Sequence, residues 1–319
     1  MARGDEAPVR GWQLVEFGKP PRLVEKEDPE PGPGEVVLDV KGSGLCHSDI
    51  MEIESHGADW LLGTIMGHEL AGFVSAVGPD VTEWKIGDRV AVCPSNTMRC
   101  PGFHYDGGFA TKHLSPADDL VAVPDTVSWA LGAMMTDAGM TSYHALVRRG
   151  GATAGMKVGL IGLGGLGQIA ARVAVVLGAD VHVAEPKKDV WPLAERLGVT
   201  QVVADVAEWE NQNFDLIVDY AGFGTTTAGA LRAVGFDGTV VQVGLGVSEA
   251  MIPLADMVGR KSRLLASRGG TKDDIAELYQ FVAAGRLDPA VTEITFDDIP
   301  RGLADLAANK VTGRLVALL

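Results

Sequence analysis

Two hydrophobic rhythms divide this chain. In the first, apolar residues come in short runs of period two, broken by glycine and proline. Residues 35–40 place Val36, Leu38 and Val40 on one face, as a half-buried strand requires. A strand pair is predicted over residues 12–24, followed by the rigid turn Pro29-Glu30-Pro31-Gly32-Pro33-Gly34. Further strands are predicted at 70–77, 89–92 and 120–123, with turns at Gly78-Pro79, Gly87-Asp88 and Pro124-Asp125. Short strands at this spacing suggest a small, partly closed β-barrel. Residues 128–148 change character: turn residues become few, Met, Ala and Leu abound, and Ser128 is placed to cap a helix.

From Lys157 the rhythm becomes strand, glycine turn, helix. Buried strands are predicted at 158–161, 181–184, 214–219 and 239–243, with helices at 164–177, 190–197 and 226–234 between them. Strands alternating with helices imply a parallel sheet covered on both faces. An amphipathic helix at 273–284, a strand near Ile294, a helix at 302–308 and a strand at 314–318 close the chain. The expected division is residues 1–138 with 271–319 in one domain, and 139–270 in the other.

Composition narrows the partners more than the fold. A net charge of −15 repels phosphate backbones and anionic membranes, and no run of Lys and Arg with interleaved aromatics occurs, so nucleic acid and membrane partners are excluded. The most apolar stretch, 158–184, is broken by glycines, Arg172 and Asp180, and reads as buried strands and a helix. Three cysteines are too few for a disulfide framework, and residues 1–10 lack an apolar signal core. A cytoplasmic location is the expectation.

Candidate chemistry concentrates in two stretches. Residues 44–69 hold Cys46 and His68 among oxygen donors, which is half of a zinc site or a pair of inert core residues. The second stretch, Gly162-Leu163-Gly164-Gly165-Leu166-Gly167, follows a predicted strand and opens a predicted helix. That context lets the backbone approach a pyrophosphate at the helix N-terminus. Glu185 ends the next strand, where an acid binds adenine ribose hydroxyls and repels a 2′-phosphate, favouring NAD; Lys187 and Lys188 leave NADP as second choice. Asp137, an acid among apolar residues, needs a partner: a helix cap, a buried salt bridge or a metal.

With these motifs in hand, the chain resembles the zinc-dependent medium-chain alcohol dehydrogenases along nearly its whole length. The matching stretches are 44–49, 67–69, 87–90, 107–110, 137–146 and the dinucleotide glycines, and 136–145 is similar to the branch in which Asp replaces a Cys ligand. The resemblance implies an α/β chain made of a GroES-like β-barrel catalytic domain and a Rossmann doubly wound parallel sheet. It implies one catalytic zinc held by Cys46, His68 and Asp137, with Glu69 behind it as a transient ligand and Asp49 orienting His68. It also places His47 and Arg314 near the cofactor pyrophosphate, and gives Ser48 the substrate oxygen and its proton.

The implied reaction moves hydride between an alcohol, secondary or bulky, and NAD, or reduces the matching ketone or aldehyde. A homodimer or homotetramer is the expected assembly. The alternatives are an NAD(P)H-dependent reductase of an activated C=C or C=N bond and a non-catalytic cofactor-binding protein; Ser48 beside a complete ligand set favours the first reading. Two departures stand out. Met51 occupies the position of the family's proton-releasing His, leaving His47, a water or His56 for that task. The four-cysteine structural zinc lobe is replaced by a short loop holding Cys93, Cys100, His104 and Asp106, so no structural zinc is expected. Trp60 and Leu61 are candidates for an apolar substrate pocket, or for core.

Overall fold

The computed structural model describes residues 8–55, 58–94 and 99–319. β1 (Val9–Gln13) and β2 (Arg22–Lys26) pair antiparallel. β3 (Glu35–Leu45) is long, and its alternating Val36, Leu38 and Val40 pack with Leu70, Val74, Val90 and Val92. It runs into helix α1 (His47–Glu54), after which come β4 (Glu69–Val77) and β5 (Arg89–Val92). β6 (Lys112–Pro116) is a strand that the pattern hides, because its buried residues are His113 and Ser115 while Leu114 is half exposed. β7 (Leu120–Ala122) leads to α2 (Trp129–Met134), where the Ser128 hydroxyl accepts from the Leu131 N–H at 3.2 Å as the expected cap.

The helical run continues through a π-helical turn at Met135–Gly139, α3 (Met140–Tyr143) and a second π-helical turn at His144–Arg149. Then β8 (Lys157–Ile161), α4 (Gly167–Val176), β9 (Asp180–Ala184), α5 (Trp191–Leu197), β10 (Gln201–Val203), β11 (Phe214–Asp219), α6 (Thr225–Ala233), β12 (Val234–Gln242), α7 (Leu254–Arg260) and β13 (Arg263–Ala266) follow. The six strands stand in the order β10-β9-β8-β11-β12-β13, all parallel. Strand order reverses between β8 and β11, and ligands of such sheets bind outside the strand C-termini at that point. Neither α7 nor β13 shows a buried face that a hydrophobic pattern could report: α7 buries no residue and β13 is an edge strand.

α8 (Lys272–Ala283), β14 (Val291–Thr295), α9 (Ile299–Ala307) and β15 (Arg314–Leu318) complete the chain. β15 is inserted between β14 and β3, giving a sheet ordered β14-β15-β3-β4-β5-β7 with β6 also paired to β3. Ile299, Leu303 and Leu306 of α9 pack with Leu45 and Leu315 in one core. Two compact units result: one holds the described residues up to Asp137 with Ile275–Ala283 and Val291–Leu319, the other Ala138–Asp274 and Ala284–Ala290. Among the described residues no helix is long and apolar enough to cross a membrane.

Candidate active site

The register of β3 against β4 assembles the site. Gly44 faces Glu69 in an antiparallel pairing, so Cys46, just past the end of β3, and His68, just before β4, meet at the same end of the hairpin. A Cβ on Gly44 would strike the Glu69 carboxylate, so glycine is what lets that side chain pass. Gly67, at φ +94°, makes a left-handed turn that a side chain would resist, and delivers His68.

Cys46 caps α1, and its N–H donates to Asp49 Oδ2 at 2.7 Å. The other oxygen of this fully buried carboxylate lies 3.1 Å from His68 Nδ1. One acid thereby fixes the thiol's backbone and the imidazole's rotation together, the arrangement in which carboxylates orient ligating histidines. Asp137 comes from the π-helical turn, a widened helical geometry common at functional sites. Its Oδ2 is 3.5 Å from Cys46 Sγ and 3.5 Å from His68 Nε2. With Glu69, the four donor atoms all lie within 4.8 Å of one another. Ser48 Oγ stands 3.6 Å from Cys46 Sγ.

Arg314 is 4% exposed, and its guanidinium contacts Glu69 and reaches Asp137 Oδ2 at 3.4 Å. The resemblance set this arginine near a pyrophosphate; its partners here are carboxylates of the donor cluster. Burial works against a Cys46 thiolate, yet Arg314 draws the Cys46 pKa below the ordinary thiol value. Burial also disfavours a charged His68, and the neighbouring Asp49 carboxylate overrides it and raises the imidazole pKa well above its usual value. The guanidinium and the imidazole stand beside a thiol and the carboxylates of Glu69, Asp137 and Asp49, which leaves the cluster short of positive charge, a deficit that a divalent cation meets. Sulfur, imidazole and carboxylate donors suit zinc.

Two nearby residues escape a reading by motif. Glu52 is 2% exposed and lies three residues after Asp49 on α1, and burial followed by the Asp49 charge pushes its pKa up to about 9, so it is a neutral acid behind the His68–Asp49 pair. The i, i+3 spacing was the available signal. Phe103, from the short loop, has its ring centroid 5.4 Å from that of His68. Other candidates fall elsewhere. Met51 and His47 are exposed on α1, and His56 lies outside the described residues. Trp60 is exposed, whereas Leu61 is core, packed with Val9, Leu14 and Leu45. Cys93 and Cys100 form no disulfide and join neither donor group found among the described residues, and the Cys100 N–H donates to His104 Nδ1 at 3.1 Å.

In the second unit the glycine run is a turn rather than helix, with α4 beginning only at Gly167. Gly162 has φ +89°, and a Cβ on Gly167 would strike the Gly162 carbonyl, so the loop closes tightly while Gly164 stays exposed with open space beside it. Such a loop, ahead of a helix N-terminus, suits a pyrophosphate. Glu185 is 7% exposed; its Oε2 accepts from the Leu163 N–H and its Oε1 from the Lys187 N–H, both at 2.9 Å. It therefore ties the glycine loop to the end of β9. Lys187 and Lys188 are exposed, and Lys188 Nζ lies 5.9 Å from the centre of the Trp191 ring.

Comparison with known proteins bears on both units. Residues 32–125 match the family model of the alcohol dehydrogenase GroES-like domain, and residues 165–284 that of the zinc-binding dehydrogenases. An alcohol dehydrogenase from Geobacillus stearothermophilus is 31% identical, across 95% of this chain and 97% of its own. The NADP-dependent alcohol dehydrogenase C of Mycobacterium tuberculosis is 28% identical across 90% and 91%. The solved structure of acetophenone reductase from Geotrichum candidum in complex with NAD superposes with a TM-score of 0.89 at 28% identity, covering 99% of each chain.

Proposed function

Because the chain belongs to the zinc-binding medium-chain alcohol dehydrogenase family, we propose that it moves hydride between a secondary or bulky alcohol and NAD, and reduces the corresponding ketone or aldehyde. The observation that carries this reading is the cluster of Cys46, His68, Glu69 and Asp137 with the Ser48 hydroxyl beside it. Held by Cys46, His68 and Asp137, a zinc ion supplies Lewis acidity toward an alcohol or carbonyl oxygen. NAD supplies the hydride acceptor.

The chain's own residues do the rest. Asp49 holds His68 so that Nε2 faces the donor set. On oxidation Ser48 Oγ accepts the proton of the substrate hydroxyl while passing its own onward, and the reverse transfers serve reduction. Arg314 offsets the charge of Glu69 and Asp137, and keeps Glu69 turned toward itself. With Met51 in place of an imidazole, the onward proton passes through His47 or water. Glu185 supports NAD over NADP, since a buried acid at the end of β9 opposes a 2′-phosphate. The bulky-alcohol preference draws support from the acetophenone reductase likeness and from Phe103 beside His68. We assign one zinc per chain, no structural zinc in the short loop, and domains of residues 1–138 with 271–319 and of 139–270.

The test combines zinc analysis of the purified protein with a panel of primary alcohols, secondary alcohols and aryl or cyclic ketones. One zinc per chain, with KM for NAD well below that for NADP and turnover greatest on secondary alcohols, is expected. Turnover of activated alkenes alone would replace this reading with the C=C reductase.

A further inference from the structure

A cavity lies wholly within the dinucleotide-type unit, at the C-terminal ends of α4 and α5. It measures about 420 Å³ and is lined by Arg172, Arg196 and Arg286, with Leu193, Leu197 and Pro289 as its apolar wall and Asp288 as its one acid. The volume is that of a small-molecule site.

Three guanidinium groups around one hollow are anomalous in a chain of net charge −15. Several other arginines lie against acids, as Arg10 does against Asp297, Arg99 against Asp119 and Arg148 against Asp274, while Arg149, Arg260 and Arg263 donate to backbone carbonyls. Among the described residues Arg172 and Arg196 take no carboxylate partner. Helix capping accounts for part of the arrangement: Arg172 Nη1 donates to the Leu197 carbonyl at 3.4 Å and Arg286 Nη2 to the Val176 carbonyl at 3.3 Å, each the last residue of its helix. It does not account for Arg196, which is exposed, or for the Nη2 edge of Arg172, whose Nε is taken by the Arg286 carbonyl at 2.8 Å. The capping bonds instead hold two planar forks in place around the hollow.

The wall opposite is also fixed. The buried Gln168 side chain donates to the Ala290 carbonyl at 3.0 Å and accepts from the Ala290 N–H at 2.7 Å, clamping segment 284–290 onto α4. The site is thus preformed.

We propose that this cavity binds a phosphate-bearing small molecule, a sugar phosphate in class, through Arg172, Arg196 and Arg286. Guanidinium forks match phosphate oxygens two at a time, and a tetrahedral dianion accepts donors from three directions, which a flat carboxylate does less well. Asp288 is placed for a sugar hydroxyl, and the leucines for the ring carbons. α4 spans ten residues, about 15 Å, so this site and the glycine loop at the other end of the helix can fill together.

Titration calorimetry of ribose 5-phosphate into NADH-saturated protein at low ionic strength tests this. Saturable binding at one site per chain is expected, weakened at least tenfold in the double variant R196Q/R286Q, which keeps the wild-type melting temperature and NADH affinity. The single variant R196Q, at an exposed position, should weaken binding several-fold even if the double variant folds poorly. No saturable uptake by the wild type, equal uptake by R196Q and the wild type, or citrate binding as tightly as ribose 5-phosphate would each overturn the assignment. The same titrations without NADH read the arginine dependence alone, so a failure of the cofactor reading leaves this test standing.

Discussion

Asp137 is the residue on which the site turns, because it is the last donor to arrive and the only one supplied by the helical run. Asp137→Ala should abolish turnover and lower zinc content below a tenth of the wild-type value by metal analysis; full activity with zinc retained would remove it from the ligand set. Ser48→Ala should keep zinc and slow turnover by about 10²–10⁴-fold, the usual scale for losing a proton-transfer group, with little change in KM. A buried histidine outside the site sets a pH limit. His113 is 2% exposed, and burial, opposed by the Gly107 backbone and Asp106, lowers its pKa from 6.5 to about 4. The unfolded chain therefore takes up this proton as pH falls below 6.5 while the folded chain does not. Its contribution to stability is full above that pH and declines by about 3 kcal/mol toward pH 4. His113→Gln should flatten the fall in denaturant midpoint over that window. Cys46, His68 and Asp137 stood out as candidate donors because thiols, imidazoles and acids among apolar residues need a reason, and the resemblance joined them into one set. Glu52 was not, since a carboxylate on a short helix ordinarily faces water, and only the fold buries it.

At the scale of elements, position comes from register and from glycine. The pairing of Gly44 with Glu69 turns a separation of 22 residues between Cys46 and His68 into adjacency, and no local pattern encodes that. Gly162→Ala would force a side chain into a left-handed turn at about 1–2 kcal/mol. Its expected signature is a lower melting temperature with NADH affinity reduced at least tenfold by fluorescence, and zinc content unchanged. Strands with an apolar rhythm, such as β3, β4 and β11, were readable directly. β6 was not, because its inward residues are polar; nor were α7 and β13, which bury little. The start of α4 was misplaced by three residues, since glycines that look like the first helical turn form the loop before it.

At the scale of the molecule, the acidic surface carries apolar exceptions, and several fall in one stretch. Leu245, Met251, Leu254 and Val258 are 64–93% exposed and lie between β12 and the open edge strand β13. Exposed apolar side chains gathered in one stretch of chain beside an edge strand suit an interaction surface, and a second copy of this chain is the expected occupant. Light scattering should give a dimer or larger, and Met251→Glu with Val258→Glu should shift it toward monomer. The return of the chain to its first unit rests on contacts that lie far apart in sequence. That return has a consequence for biosynthesis. β15 enters the first sheet beside β3 and carries Arg314 to the carboxylates of Glu69 and Asp137. On a ribosome the thiol, the imidazole and both acids emerge long before the arginine that balances them, so a nascent or prematurely ended chain presents an uncompensated acidic pocket with a sheet missing its inner strand. Such a chain is a natural client for chaperones, and the donor cluster with its balancing arginine is complete only once translation has run past residue 314.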